Sequence, residues 1–263
     1  MRYGKLPARR FDRPVLFSAV QALPLPTAPR TFGFGRMFDD WGMLGNDQVG
    51  DCAFAGSAHE TMVWTGIAHR GETSAPFDPT TVVADYSALT GYVPGEPNTD
   101  LGTDMAQLMD YRRTVGISDS TGARHKIDLA VRIDPNRSGF FDWEPFIRCV
   151  HSFACVGIGF EVPESAEQQF ADGKPWDYVG DENIVGGHYV PGVGATISNS
   201  HVTVITWGKR QVMTRSFFEA YVDELWVPLS RETLAAAYIE KGLSIVDWAK
   251  VEALARSLGE ADA

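Results

Sequence analysis

Three side chains in this sequence could together attack a carbonyl group: Cys52, His188 and Asn46. The run NDQVGDCAFAGSAHE, residues 46–60, brings Cys52 out of a glycine-punctuated loop to the first position of an expected helix. Unpaired backbone N–H groups and the positive end of the helix dipole favour a thiolate there. His188, in VGGHYV, opens an expected strand far along the chain, as a base does when nucleophile and base come from opposite walls of a cleft. Asn46 stands six residues before Cys52, and its amide could donate to an oxyanion together with the Cys52 N–H. On residue type alone, each also has a structural explanation. A small buried residue suits a helix start, and a hydrogen-bonded histidine suits a strand.

The elements that would hold these residues divide the chain into two halves. Apolar positions at three- and four-residue steps predict a helix from Cys52 to about His69, closed by Gly71. Further helices are expected over Pro79–Leu89 and Thr103–Val115. The pattern then changes. HKIDLAVRID alternates like a strand, WEPFIRCVHSF reads as a short helix, and ACVGIGFEV reads as a glycine-spaced apolar strand. SAEQQF follows as a helical turn, then the strand candidates HYVPGV, HVTVITW and RQVMT. Next come a helix FFEAYVDE capped by Ser216, a strand LWVPLS, and a C-terminal helix over residues 244–258. Helices first and strands later, without βαβ alternation, predict an α+β fold with a cleft between the halves. The proline-rich first 35 residues read as an extended arm on the body. The expected domains are therefore this arm (1–35), a main domain (36–230) and a helical extension (231–263).

At 263 residues and 44% hydrophobic, the chain can bury a substantial core. A net charge of −11 argues against nucleic acid as a partner. No long apolar run predicts a membrane span, and no charged start precedes an apolar signal-type stretch, so a cytoplasmic or particle-associated location is expected. Three cysteines at unrelated spacings form neither a disulfide framework nor a zinc pattern, so free thiols and no cofactor are expected. His151 lies near Cys149 and Cys155, but inside an apolar run such groups pack more often than they bind metal. His59 sits two helical turns beyond Cys52, on the order of 10 Å away, and is expected to be structural. Gln48 is too close to Cys52 to match the spacing of Asn46, and Asp47 and Asp51 read as loop and helix-cap residues.

The ordered set NDQVGDCAFAGSAH, GGHYVPGV and ITWG resembles the papain-like cysteine peptidases over roughly residues 36–230. NDQVGDCAFAGSAH is similar to that superfamily's oxyanion-donor and nucleophile run, GGHYVPGV to its histidine strand, and ITWG to its Asn-Ser-Trp-Gly strand. The forms Gly-Asp-Cys, Gly-Gly-His and Thr-Trp-Gly are similar to a divergent branch found in phages and bacteria. The resemblance implies a papain-like fold, a helical half bearing the cysteine on its central helix packed on an antiparallel half. It also implies Cys52 as nucleophile, His188 as base, Asn46 as oxyanion donor, and Trp207 covering the histidine beside the substrate.

Three departures stand out. Ile205 occupies the position of the asparagine that orients the histidine, leaving a backbone carbonyl, a water or Thr206 to fix the tautomer. Asn46 replaces a glutamine, and Ala53-Phe54 follows the cysteine where an aromatic comes immediately in papain relatives. The implied function is a thiol hydrolase acting on peptide or amide bonds of a peptide or protein substrate. The alternative is a catalytically weak or inactive structural or adhesion protein, such as a phage virion component, with the arm docking on partner subunits.

Overall fold

The computed structural model describes residues 2–8, 25–71, 73–136 and 138–232. The expected C-terminal helix and much of the expected arm lie outside the described residues. The helical half contains α1 (Cys52–Ala68), α2 (Pro79–Thr90) and α3 (Met105–Thr114). Helix α2 starts where the Asp78 carboxylate accepts the Thr81 N–H and Pro79 presets the first turn, and it stops at Gly91 with φ +79°. Helix α3 begins two residues later than expected because Asp104, not Thr103, caps it through the Gln107 N–H.

Helix α1 differs from an ordinary amphipathic helix in being buried nearly all round, Ser57, His59, Glu60, Thr61 and Thr65 included. Its hydroxyls are satisfied inside the helix. Ser57, Thr61 and Thr65 each donate to the carbonyl four residues earlier, at 2.7–2.9 Å. Asp51 holds the N-cap position, but its side chain makes no cap hydrogen bond.

The sheet half is antiparallel throughout. Strands β4 (Leu129–Ile133), β5 (Val156–Pro163), β6 (Ile184–Thr196), β7 (His201–Thr206), β8 (Lys209–Thr214) and β9 (Val222–Leu229) lie in the order β4-β9-β5-β6-β7-β8, with β1 (Thr31–Gly33) pairing onto β6. A separate ribbon joins β2 (Ile117–Ser118) and β3 (Arg124–His125). Helices α4 (Trp143–Phe153), α5 (Glu164–Ala171) and α6 (Arg215–Tyr221) pack around the sheet. Thr214, not Ser216, caps α6, and the expected helix ends early because Val222 to Glu224 already pair as strand β9.

Side chains of β6 alternate between two cores, with the phase changing at the irregularity between Gly192 and Gly194. Val190 and Ala195 join the core of β4, β5, β9, α4 and α6, whereas Tyr189 and Val193 join the core around α1, α2 and α3. Tyr189 is fitted to its place by two glycines. A Cβ on Gly157 would fall 1.7 Å from the Tyr189 hydroxyl, and one on Gly56 of α1 would fall 2.8 Å from its ring. The tyrosine therefore brings the helical half and the sheet half to a fixed distance, directly beside His188.

Candidate active site

Cys52, His188 and Asn46 converge from α1, β6 and the loop before α1 onto a single stretch of three residues, Arg2 to Gly4. The Asn46 amide donates to the Arg2 carbonyl at 3.3 Å and to the Val49 carbonyl at 3.2 Å, and the Arg2 N–H returns to the Asn46 carbonyl. The Tyr3 ring meets the His188 ring edge-on at 5.9 Å. The N–H groups of Gly4 and Tyr189 point at the Cys52 sulfur.

Beyond these three, the Lys5 N–H donates to the carbonyl of Gly187, the residue before His188, at 3.0 Å. Thr103 accepts the Leu6 N–H at 3.0 Å and donates to the Gly4 carbonyl, so the segment and Thr103 run parallel. Residues 2–8 thus form a strap along the groove between the halves. The groove floor is built of glycines. A Cβ on Gly186 or Gly187 would strike Tyr3 or the Lys5 carbonyl at 2.8 and 2.3 Å, and one on Gly102 would strike the Gly4 carbonyl at 2.3 Å. The Gly4 carbonyl is engaged by the Thr103 N–H, while the Gly4 N–H favours the Cys52 thiolate.

This cover sets the electrostatics. Cys52 and His188 are each 1% exposed. The sequence leads one to expect a thiol pKa lowered by the helix start. Instead burial pushes Cys52 up to about 11, outweighing the Tyr189 and Gly4 N–H groups that favour the thiolate. Burial also pushes the His188 imidazole down to about 3. With the strap in place both groups are uncharged at neutral pH. No hydrogen bond joins them, and His188 Nδ1 has no hydrogen-bond partner among the described residues. Asp51 is buried beside them, its carboxyl pushed well above the usual range by desolvation.

His188 is nevertheless held firmly. Its Nε2 lies 2.8 Å from Thr206 Oγ1, so the hydroxyl takes the place the Ile205 side chain cannot fill. In the β6–β7 ladder Gly192 stands opposite Val204. Trp207 stacks on the imidazole at 4.6 Å and 20°, and Phe160 meets it edge-on. The indole reaches that position because Trp207 and Gly208, at φ +44° and +72°, form a two-residue turn between Thr206 and Lys209. His59 serves elsewhere, with its Nε2 2.9 Å from the Trp41 carbonyl and 3.1 Å from that of Gly42. Burial holds it at about 4.

A pH dependence follows for His59. Its folded pKa lies below the ordinary value near 6.5, so between pH 6.5 and 4 the unfolded chain binds a proton that the folded chain does not. Acidification through that window should cost about 1.4 kcal/mol per pH unit for this group. Buried Asp51 and Glu60, whose carboxyls are raised, act in the opposite direction. The readout is therefore the difference in urea stability between wild type and His59→Gln. Wild type should lose ground to the variant as pH falls from 6.5 to 4, and a constant difference would mean that His59 titrates normally when folded.

Among the described residues no cluster of metal-binding side chains occurs, and no helix is long and apolar enough to cross a membrane. The three cysteines are buried and unbridged.

The chain matches no family model, and no curated protein matches its sequence. Solved structures do match. Xylellain, a cysteine protease from Xylella fastidiosa, is 15% identical with a TM-score of 0.60, covering 87% of this chain and 96% of its own. Procathepsin L2 proteinase from the Tenebrio molitor larval midgut is 14% identical with a TM-score of 0.56, covering 86% and 74%. The Carica candamarcensis cysteine protease CMS1MS2, solved in complex with E-64, is 13% identical with a TM-score of 0.54, covering 77% and 99%. At these identities the likeness shows the fold. This chain is an α+β protein with the papain-like fold.

Proposed function

We propose that the chain is a thiol hydrolase of the cysteine peptidase type, closed by its own N-terminal strap. One observation carries this reading: Asn46 and Cys52, from one loop and helix start, and His188, more than a hundred residues later, meet the consecutive residues Arg2, Gly4 and Tyr3 of an extended peptide. A groove that binds a peptide main chain over those side chains is suited to a peptide substrate once the strap leaves.

In the open enzyme, His188 Nδ1 takes the Cys52 proton while its Nε2–H donates to Thr206 Oγ1. The thiolate adds to the substrate carbonyl carbon, and the oxyanion accepts from the Asn46 amide and the Cys52 N–H. The imidazolium returns its proton to the leaving amine as the C–N bond breaks. Water, deprotonated by His188, then cleaves the thioester. Trp207 shields the imidazole from solvent and borders the substrate.

The buried, un-ionised Cys52 and His188 favour a second reading, a catalytically silent chain whose fold serves binding. A quenched-fluorescence peptide library separates the two when assayed with full-length protein and with the strap loosened by Lys5→Glu. Hydrolysis in the loosened chain, lost by roughly 1,000-fold or more in Cys52→Ala and His188→Ala, supports the hydrolase, on the order seen when a catalytic member is removed. A loosened, folded chain that cleaves nothing and whose Cys52 reacts no faster than in His188→Ala supports the silent reading.

A further inference from the structure

We infer that the pocket holding Lys5 is a substrate-recognition pocket for a lysine side chain, with Asp223 and Glu224 as its specificity-determining residues. The inference rests on the hydrolase reading above and names the substrate class of that site: peptides with a lysine beside the scissile bond.

Position is the first argument. Lys5 directly follows Gly4, whose N–H is directed to the Cys52 sulfur, and its own N–H binds the carbonyl of the residue before His188, so its pocket is the next one along the groove from the nucleophile. The strap's hold there is main chain to main chain, through Gly187 and Thr103, and would serve an extended peptide of any sequence. What the groove reads at this point is therefore the side chain.

Construction is the second. The Lys5 side chain is 1% exposed, and its ammonium donates to Asp223 Oδ2 at 2.8 Å and the Leu6 carbonyl at 3.0 Å, with Glu224 Oε2 at 3.8 Å. Its stem passes over Gly159, where a Cβ would stand 2.3 Å from Lys5 Cε. Glu224 is itself buried, so an apolar side chain in the pocket would leave a buried carboxylate without its cation. Beside the strap, an open cleft of about 600 Å³ carries three carboxylates, Asp100, Glu161 and Asp223, on its walls, and its cations, Arg2 and Lys5, belong to the strap itself. A cationic peptide is drawn to such a surface, and to a chain of net charge −11.

The test uses the full-length Lys5→Ala chain, in which the stem and ammonium are missing from the pocket, and two readouts. In thermal melts, n-propylammonium should stabilise this variant saturably and 1-propanol should not, while wild type and Lys5→Ala/Asp223→Asn should respond to neither. In labelling, the strap is instead displaced by Lys5→Glu, and in that chain an acetyl-lysyl chloromethyl ketone should alkylate Cys52 roughly tenfold faster or more than its norleucyl counterpart, the size of a single charge-assisted contact. Asp223→Asn/Glu224→Gln in the same background should bring that ratio towards one. Equal stabilisation by propanol, or norleucyl labelling as fast as lysyl, overturns the pocket assignment while leaving the hydrolase reading in place. Propylammonium binding with no alkylation of Cys52 by either ketone overturns the hydrolase reading and the substrate class with it.

Discussion

Lys5→Glu in the full-length chain is expected to raise the rate of Cys52 alkylation by iodoacetamide at about pH 7.5 by about 100-fold, since alkylation follows the thiolate fraction. The substitution sets a third carboxylate against Asp223 and Glu224 in place of the ammonium they hold. Like charges at that separation, one of them buried, disfavour the seated strap strongly. When Lys5 leaves, Gly4 and Tyr3 leave with it, and water reaches a sulfur now held at about 11 by burial. A solvated thiol returns to about 8.5 or below, so its thiolate fraction rises by roughly two orders of magnitude before any contribution from His188. Cys149 and Cys155, both buried in the cores, serve as internal controls and should not change. Peptide mass spectrometry after timed alkylation gives all three rates in one experiment. An unchanged Cys52 rate would mean that packing beneath the sulfur, not the strap above it, keeps the thiol protonated.

The sequence carried much of the candidate site and little of its cover. Cys52 at a helix start was readable because a glycine-punctuated loop gives way there to apolar residues at helical steps. Trp207 over the histidine was readable through the ITWG resemblance, and the structure stacks the two rings. The partner of His188 was harder. Counting back from the tryptophan leads to Ile205, but the left-handed turn at Trp207 and Gly208 lets the next residue, Thr206, reach the imidazole. The strap's place in the groove left no mark at all. It is held mostly by backbone hydrogen bonds over glycines, which impose no side-chain pattern, and the partners of Arg2 to Leu6 outside the strap lie 44 to 218 residues away. The same holds for Glu60. Within α1 it reads as part of a polar helix face, and only the fold shows that this helix has no exposed face along most of its length.

Glu60→Ala should therefore destabilise the protein by about 3–5 kcal/mol, the cost of breaking a buried ion pair from one side. Glu60 Oε2 lies 2.6 Å from Arg112 Nη1, and its other oxygen accepts the Tyr189 hydroxyl at 2.9 Å, with all three side chains buried. Arg112 is further placed over the Trp64 ring at 5.5 Å, so it cannot turn to solvent without leaving that contact. Removing the carboxylate leaves a guanidinium uncompensated in the core, and for a chain of this size the melting temperature should fall by roughly 10 °C. Glu60→Gln/Arg112→Met, which removes both charges and keeps the volume, should recover most of that loss, because the penalty belongs to the orphaned cation. Tyr189→Phe separates structure from position. It keeps the ring in its notch between Gly56 and Gly157 and deletes one hydrogen bond, at a cost of about 1 kcal/mol. Tyr189 follows His188 and turns its own N–H to the Cys52 sulfur, so loosening the ring shifts both candidate catalytic residues at once. In the Lys5→Glu background, Tyr189→Phe should thus slow Cys52 alkylation more than its small effect on stability accounts for. An alkylation rate equal to that of Lys5→Glu alone would confine the Glu60, Arg112 and Tyr189 network to holding the two halves together.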